Sequence, residues 1–329
     1  MKRILAGWLI LVAAAWLGAE KITTLPDLHK PQRLVVEKRR VYLGEFPHVY
    51  VYSRADWRLL RKFGRQGEGP HEFAGFVSLF LQENKLLVNS LGKVSRFTLA
   101  GDYIAEKRVN ARSSSGLVPV GPDRYVARGM TAHEGQRYFV INLLDGGMNK
   151  LKELGRLPIE AQKGRIRILA EQMEYRTDGS RIFVLTGDEF VIRVFDSDGN
   201  LQNTLSPQYE RMKFTAAHKH MVLEEMRNNP RVKPHFERLK ALTVFPDYWP
   251  AVFTFFPRGD RLRVLTFRRG DKGTEIVTLD MEGRIKSRRM LPLKYPTAME
   301  PYPVDVSEGR LYQVMENDDG EWELHAWPL

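Results

Sequence analysis

Eight histidines, no cysteine and a scatter of carboxylates are what this 329-residue chain offers for chemistry. Without a thiol there is no disulfide, no Cys-ligated zinc, no thiol nucleophile and no lipoprotein-type cysteine. The one close histidine pair is His218-Lys219-His220. Imidazoles two residues apart share a side of a strand but face apart on a helix. The surrounding "TAAHKHMVLEEMRNN" has helical spacing, so a solvated helix face is expected there rather than a metal site. Asp196-Ser197-Asp198-Gly199-Asn200 gathers oxygen donors as a calcium loop does, but an EF-hand needs glycine sixth and glutamate twelfth. Here glycine is fourth, between strand-like runs, where Asp-Gly signals a hairpin. Asn317-Asp318-Asp319-Gly320-Glu321 reads the same way. Glu68, Glu72, Glu171 and Glu174 could do general acid–base work, and by default are surface or crossover residues. Neither GxSxG nor HExxH occurs. Arg258-Gly259-Asp260 and Arg269-Gly270-Asp271 spell an adhesion tripeptide, at strand ends where Gly and Asp are ordinary turn residues. Catalytic residues stay unassigned.

The most patterned stretch is "KFGRQGEGPHEF", residues 62–73. A phosphate cradle needs glycines leading straight into a helix N-terminus. Gly64, Gly67 and Gly69 match no such spacing, and Pro70 leads into the strand-like "FVSLFL". The alternative is a structural crossover, with glycines supplying positive φ, Gly69 included, and Pro70 fixing the exit. Glu72 is then placed to accept backbone or arginine hydrogen bonds.

The elements that carry these residues are short. At 43% hydrophobic and 28% charged, the chain has ordinary globular composition. The net charge is +11, and +9 without the first 19 residues, whose only charges are Lys2 and Arg3. The cations are spread out, so generic surface charge is the simplest account; polyanion or membrane-surface adhesion is a lesser one. Lys2 and Arg3 precede a charge-free run over 4–17 and then Gly18-Ala19. That is the form of a secretory signal peptide, too short to span a bilayer, with cleavage after Ala19 or Ala15. An uncleaved anchor is the competing reading, and membrane contact is expected only in that case. Residues 20–32 read as a linker, and export to the periplasm or medium is expected.

Strand-like runs then recur between turns at Asp56, Gly101, Gly146, Gly199 and Gly283. The first intervals are 45, 45 and 53 residues, and the last is 84, one period plus an insertion. Four short strands per period of about 40–50 residues is the sequence form of propeller blades. Residues 33–329 are read as an all-β, six-bladed propeller closed by pairing of the N- and C-terminal strands. Residues 32–44 are the expected closing partner of the incomplete last unit. Seven blades and a stacked sandwich are the alternatives. The insertion, 207–247, precedes the fifth blade counted from Arg33. Thr215 is its expected N-cap, with Ala217, Met221 and Met226 as an inward stripe and a second helix through Phe236, Leu239 and Leu242. A functional cap and a packing cap weigh equally.

"FGRQGEGPHEF", with the "FDSDGN" and "LDMEGR" turns, resembles a signature of exported bacterial six-bladed propellers related to NHL and TolB-like propellers. His71 departs from it, standing where a glycine is common. The resemblance implies fold and export and no chemistry. The expected function is therefore a monomeric binding module for a glycan, peptide or protein, with no nucleic acid partner and no cofactor. Tyr248 and Trp249 are expected as an exposed aromatic patch, which with His218 and His220 makes the candidate binding face. The alternative is a lactonase, lyase or hydrolase acting at the central channel, where a divalent metal stays open.

Overall fold

Strands covered on both faces must be apolar almost end to end, and the middle strands of each repeat are. In Arg40–Glu45 and His48–Ser53, residues 41–43 and 49–52 are all buried. The outer strand beside them, Leu59–Phe63, exposes Leu60, Arg61 and Lys62. The computed structural model describes residues 19–109, 116–159, 164–170 and 172–329. Its strands form six four-stranded antiparallel sheets, spanning 33–63, 78–108, 118–158, 173–205 and 252–291, with 304–328 completed by Glu20–Thr24. These are blades 1 to 6. Each inner strand touches the inner strand of the next blade all the way round. Six buried clusters fill the six gaps between blades. The fold is a six-bladed β-propeller, and its helices lie between blades 4 and 5.

The outer hairpin of blades 1 to 5 holds the five turns read from the sequence. Asp196 accepts from the amides of Asp198 and Asn200, and Gly199 takes φ +76°. Asp280 does the same for Glu282 and Arg284. These carboxylates cap their own turns, and Asp280 also pairs with Arg284 Nε at 2.8 Å.

Blade 6 has no fourth strand of its own. Glu20–Thr24 supplies it, pairing antiparallel with Trp322–Pro328. The closing strand therefore lies in the stretch read as a linker. Residues 32–44 are not the closing partner, because Arg33–Val36 and Arg40–Glu45 already complete blade 1. The sequence pattern hides this because "EKITT" lies on the rim, exposed or half-buried throughout. Beyond it, Leu25 and Leu28 are buried against Trp322, whose indole Nε1 donates to the His29 carbonyl at 2.9 Å. Burying each such side chain stabilises the seam by about 1.5–3 kcal/mol. Lys21 adds an ion pair to Glu323 at 2.5 Å, and Glu323 also accepts from Asn317 at 3.0 Å.

In an antiparallel four-stranded blade, the outer strand ends where the next inner strand begins. All crossovers between blades therefore gather on one face. The longest holds α1 (Ala216–Asn228) and α2 (Phe236–Leu242). Thr215 caps α1: its hydroxyl accepts from the His218 amide, and His218 Nδ1 accepts from the Thr215 amide. The inward stripe keeps Met226 as expected but takes Val222 in place of Met221. Val222 is buried with Met226 packed near it, while Met221 is 37% exposed. Phe214, Val222 and Trp249 pack on Phe267 of blade 5. Glu225 accepts from the Ala298 amide at 2.7 Å, fastening α1 to the neighbouring crossover.

The Lys21 ammonium, before any other influence, holds the Glu323 carboxyl down at about 2, against about 4.3 unperturbed. A depressed carboxyl stabilises above the unfolded pKa and loses that contribution as pH falls toward the folded value. At the ring's edge, partly screened, this is on the order of 1–2 kcal/mol. Glu323→Gln should speed amide exchange across 20–24 and lower Tm by about 2–4 °C at pH 7. The gap from wild type should close between pH 4.3 and 2; a constant gap would contradict the pairing.

Candidate functional site

Each inner strand is hydrogen-bonded on one side only and leaves its other edge facing the ring axis. Around that axis runs a cavity of about 1330 Å³. It reaches the crossover face beside Glu300 and Pro301 of the 292–303 crossover and the far face beside Glu37 and Glu308. The insertion sits next to this mouth, since Phe253 lines the cavity and also packs against the insertion core.

Polar side chains stitch the waist of the channel from blade 4 round to blade 1. Glu174 Oε1 lies 2.7 Å from Arg176 Nε and accepts from Thr254 Oγ1 of blade 5 at 3.0 Å. Arg176 Nη2 donates to Thr254 Oγ1 at 3.1 Å. Asp305 of blade 6 accepts from Arg258 Nη2 of blade 5 at 3.0 Å and from the Val36 amide of blade 1 at 2.7 Å. Burial pushes the Asp305 carboxyl up, while the Arg258 charge opposes it. Arg33, on the inner strand of blade 1, is different. Its guanidinium donates to the neighbouring Gln32 carbonyl at 2.9 Å and has no ion pair among the described residues. It is open to the channel water yet enclosed by the channel wall. Enclosure first, and then the Arg176 charge, depress its basicity, with Glu174 and Glu300 acting the other way.

Of the three described carboxylates among the four singled out in the sequence, Glu174 alone is at the channel. Glu68 is exposed on the crossover, Glu72 is consumed inside it, and Glu171 lies outside the described residues. Among the described residues, no group of three or more His, Asp or Glu side chains converges to hold a metal.

The candidate binding face does not assemble. Trp249 is buried, stacked between Phe214 and Phe267, so there is no exposed Tyr248-Trp249 patch. Its indole donates to His218 Nδ1 at 3.0 Å, which makes His218 a structural acceptor, and burial lowers the His218 pKa. His220 is exposed on α1. Tyr248 is 38% exposed, with the Arg211 guanidinium 5.4 Å above its ring. Both adhesion-like triplets spend their arginines internally: Arg258 on Asp305, and Arg269 over the Tyr295 ring at 3.7 Å.

The motif at 62–73 lies between the outer strand of blade 1 and the inner strand of blade 2. Arg65–Gln66 and Glu72–Phe73 pair in parallel across it, with Pro70 between them. Glu72 accepts from the Gly69 amide and from Arg65 Nε, each at 2.8 Å. Buried Lys93 fastens the loop by donating to the Gly69 carbonyl and pairing with Glu106 at 3.0 Å. Gly64 and Gly67 have φ of +95° and +149°. Gly69 does not adopt positive φ; a Cβ there would meet Glu72 Oε2 at 3.1 Å, so the constraint is room for Glu72. His71 takes φ +63°, which explains why glycine suits the position, and its ring packs on Tyr103 at 4.2 Å.

No protein-family model matches the chain, and no curated protein matches it. Similar solved structures cover nearly its whole length. A "putative exported protein" from Bacteroides fragilis is 11% identical, covering 95% of this chain and 94% of that one, with a TM-score of 0.58. A luciferin-regenerating enzyme, 11% identical over 95% of each chain, gives 0.48. A member of the duf4221 family from Bacteroides vulgatus, 11% identical over 94% of this chain and 97% of that one, gives 0.46. At that identity the first likeness shows the propeller fold and nothing further. Among the described residues, no helix is long and apolar enough to cross a membrane.

Channel residues Arg33, Arg176, Thr254 and Asp305 were not singled out by sequence reasoning, and Arg258 was noticed only as part of a turn triplet. Their signal is position on an inner strand, which requires the blade register to be known.

Gly64→Ala should destabilise by roughly 2–4 kcal/mol, because its Cβ would meet the Phe73 ring at 2.5 Å and the Pro47 carbonyl at 2.6 Å. His71→Val should cost about 1–2 kcal/mol more than His71→Gly, since a β-branched residue resists positive φ. Equal melting points for the two His71 variants would contradict the crossover geometry.

Proposed function

We propose that this chain is an exported binding propeller, of the NHL and TolB-like kind, that takes its ligand into the central channel from the crossover face. The observation that carries this is the axial cavity and its wall. At about 1330 Å³ it exceeds the roughly 300–1,000 Å³ of a drug-sized pocket, which suits the end of a peptide or an oligosaccharide. Its inner strands turn an edge without a neighbouring strand toward the axis, and a sheet edge of that kind recognises extended ligands. The two acids at its waist, Glu174 and Asp305, are already engaged by arginine, Thr254 and backbone amides. That engagement favours holding a ligand over general acid–base catalysis.

Two features support export. Lys2, Arg3 and the apolar run after them have signal-peptide form, and a protein of similar fold bears an exported description. Cleavage after Ala19 would make Glu20, the first residue of the closing strand, the new N-terminus. N-terminal sequencing of protein recovered from the periplasm or medium should begin at Glu20. A start beyond Thr24, or an intact Met1 in the membrane fraction, would overturn this.

For the channel, a panel of peptides, oligosaccharides and organic anions should be screened by thermal shift, with each hit mapped by hydrogen exchange. Protection confined to 33–36, 173–177, 252–258, 304–307 and the 292–303 crossover is the expected result. Protection on the outer strands, or none with any compound, would sink it.

A further inference from the structure

We infer that Arg33, with Arg176 facing it across the ring, forms a receptor for one oxyanion group, a carboxylate or a phosphate, on the ligand; this rests on the channel being the binding site. In a six-bladed ring, blades 1 and 4 are opposite. Arg33 starts the inner strand of blade 1 and Arg176 lies on the inner strand of blade 4. Both guanidinium groups line the same cavity from opposed blades, and the Arg176 charge acts against Arg33. Among the described residues the only side-chain hydrogen bond of Arg33 goes to the carbonyl beside it, so no distant element is held by its guanidinium.

At the waist Arg33, Arg176 and Arg258 face Glu174 and Asp305, one positive charge over, while Lys30, Lys38, Glu37, Glu300, Glu308 and Glu316 also line the cavity. Glu300 stands exposed at the mouth and draws on Arg33 least of the three charges that act on it. At the far end Glu37 accepts from the Arg39 amide and Glu308 pairs with Arg54, so neither neutralises Arg33. An arginine fork without a carboxylate partner, in a confined cavity, presents paired N–H donors that match a carboxylate or phosphate edge. An anion placed between the two guanidinium groups relieves their mutual repulsion and completes the hydrogen bonds Arg33 lacks.

The full mature chain should be titrated with sodium succinate and, separately, with sodium phosphate, against sodium chloride at matched ionic strength. Saturable binding of one or both is expected, with a Tm rise of about 2–4 °C; the arm that responds tells carboxylate from phosphate. Arg33→Met should weaken binding by about 10- to 100-fold. Its Tm in chloride should be unchanged or higher, because it removes a confined, repelled charge. A structural arginine would show the opposite sign. Arg33→Lys keeps the charge without the fork and should fall between the two. No saturable binding of either anion, binding unaltered in Arg33→Met, or a large Tm loss in that variant's chloride control would each overturn the assignment. A neutral peptide or sugar that protects the inner strands while no anion binds would leave the channel reading standing and this inference refuted. Absence of protection by any compound would refute both.

Discussion

A toroid of sheets holds only if its last gap is closed. Each blade is too thin to bury its own faces, and five of the six inter-blade cores lie between blades joined directly by a crossover. The sixth joins the two ends of the chain. There Leu25, Leu28, Leu34 and Val36 meet Tyr312, Val314, Trp322 and Leu324, and the Glu20–Thr24 strand covers what would be a free edge. An uncovered edge of that kind is an invitation to pair with another molecule. The rigidity of the channel follows from this seam, because Asp305 spans it when it accepts from the Val36 amide.

The crossover face carries the molecule's irregular chain. The 62–73 loop solves a backbone problem there, with Glu72 and Lys93 holding the glycines in a fixed path. The insertion is larger and does something related. Through Trp249, Arg269 and Glu225 it braces blade 5 against the next crossover, so its aromatic side chains are spent inward. What reaches the mouth is the wall of the channel itself. In the proposed reading, recognition rests on rigid inner strands, which position a side chain better than a loop does.

The repeat was legible because the outer hairpins obey a local rule. Gly101, Gly199 and Gly283 sit where the chain must take positive φ, and that need recurs with the blade. The blade number and the place of the helices followed from the spacing. The closing strand was not legible: Glu20–Thr24 has no apolar pattern, and its partner is at the far end of the sequence. Trp249 looked like surface because its neighbours are Tyr248 and prolines, and only the tertiary meeting with Phe214 and Phe267 buries it. Arg33 was hidden for another reason. In "QRLVV" it is one more cation before a strand, and its proposed role depends on Arg176, 143 residues away on the opposite wall.

Lys21 and Glu323 are separated by 302 positions. The first strand of the ring to be synthesised is thus the last to find its place. It must wait, unpaired, while the other sheets are made, and the loop it finally closes is nearly the whole polypeptide. Contacts of such separation form slowly, and until they form the partly built toroid exposes two raw blade faces. A ribosome that stalls before Trp322 leaves a product that can never lock, however well its earlier sheets have formed.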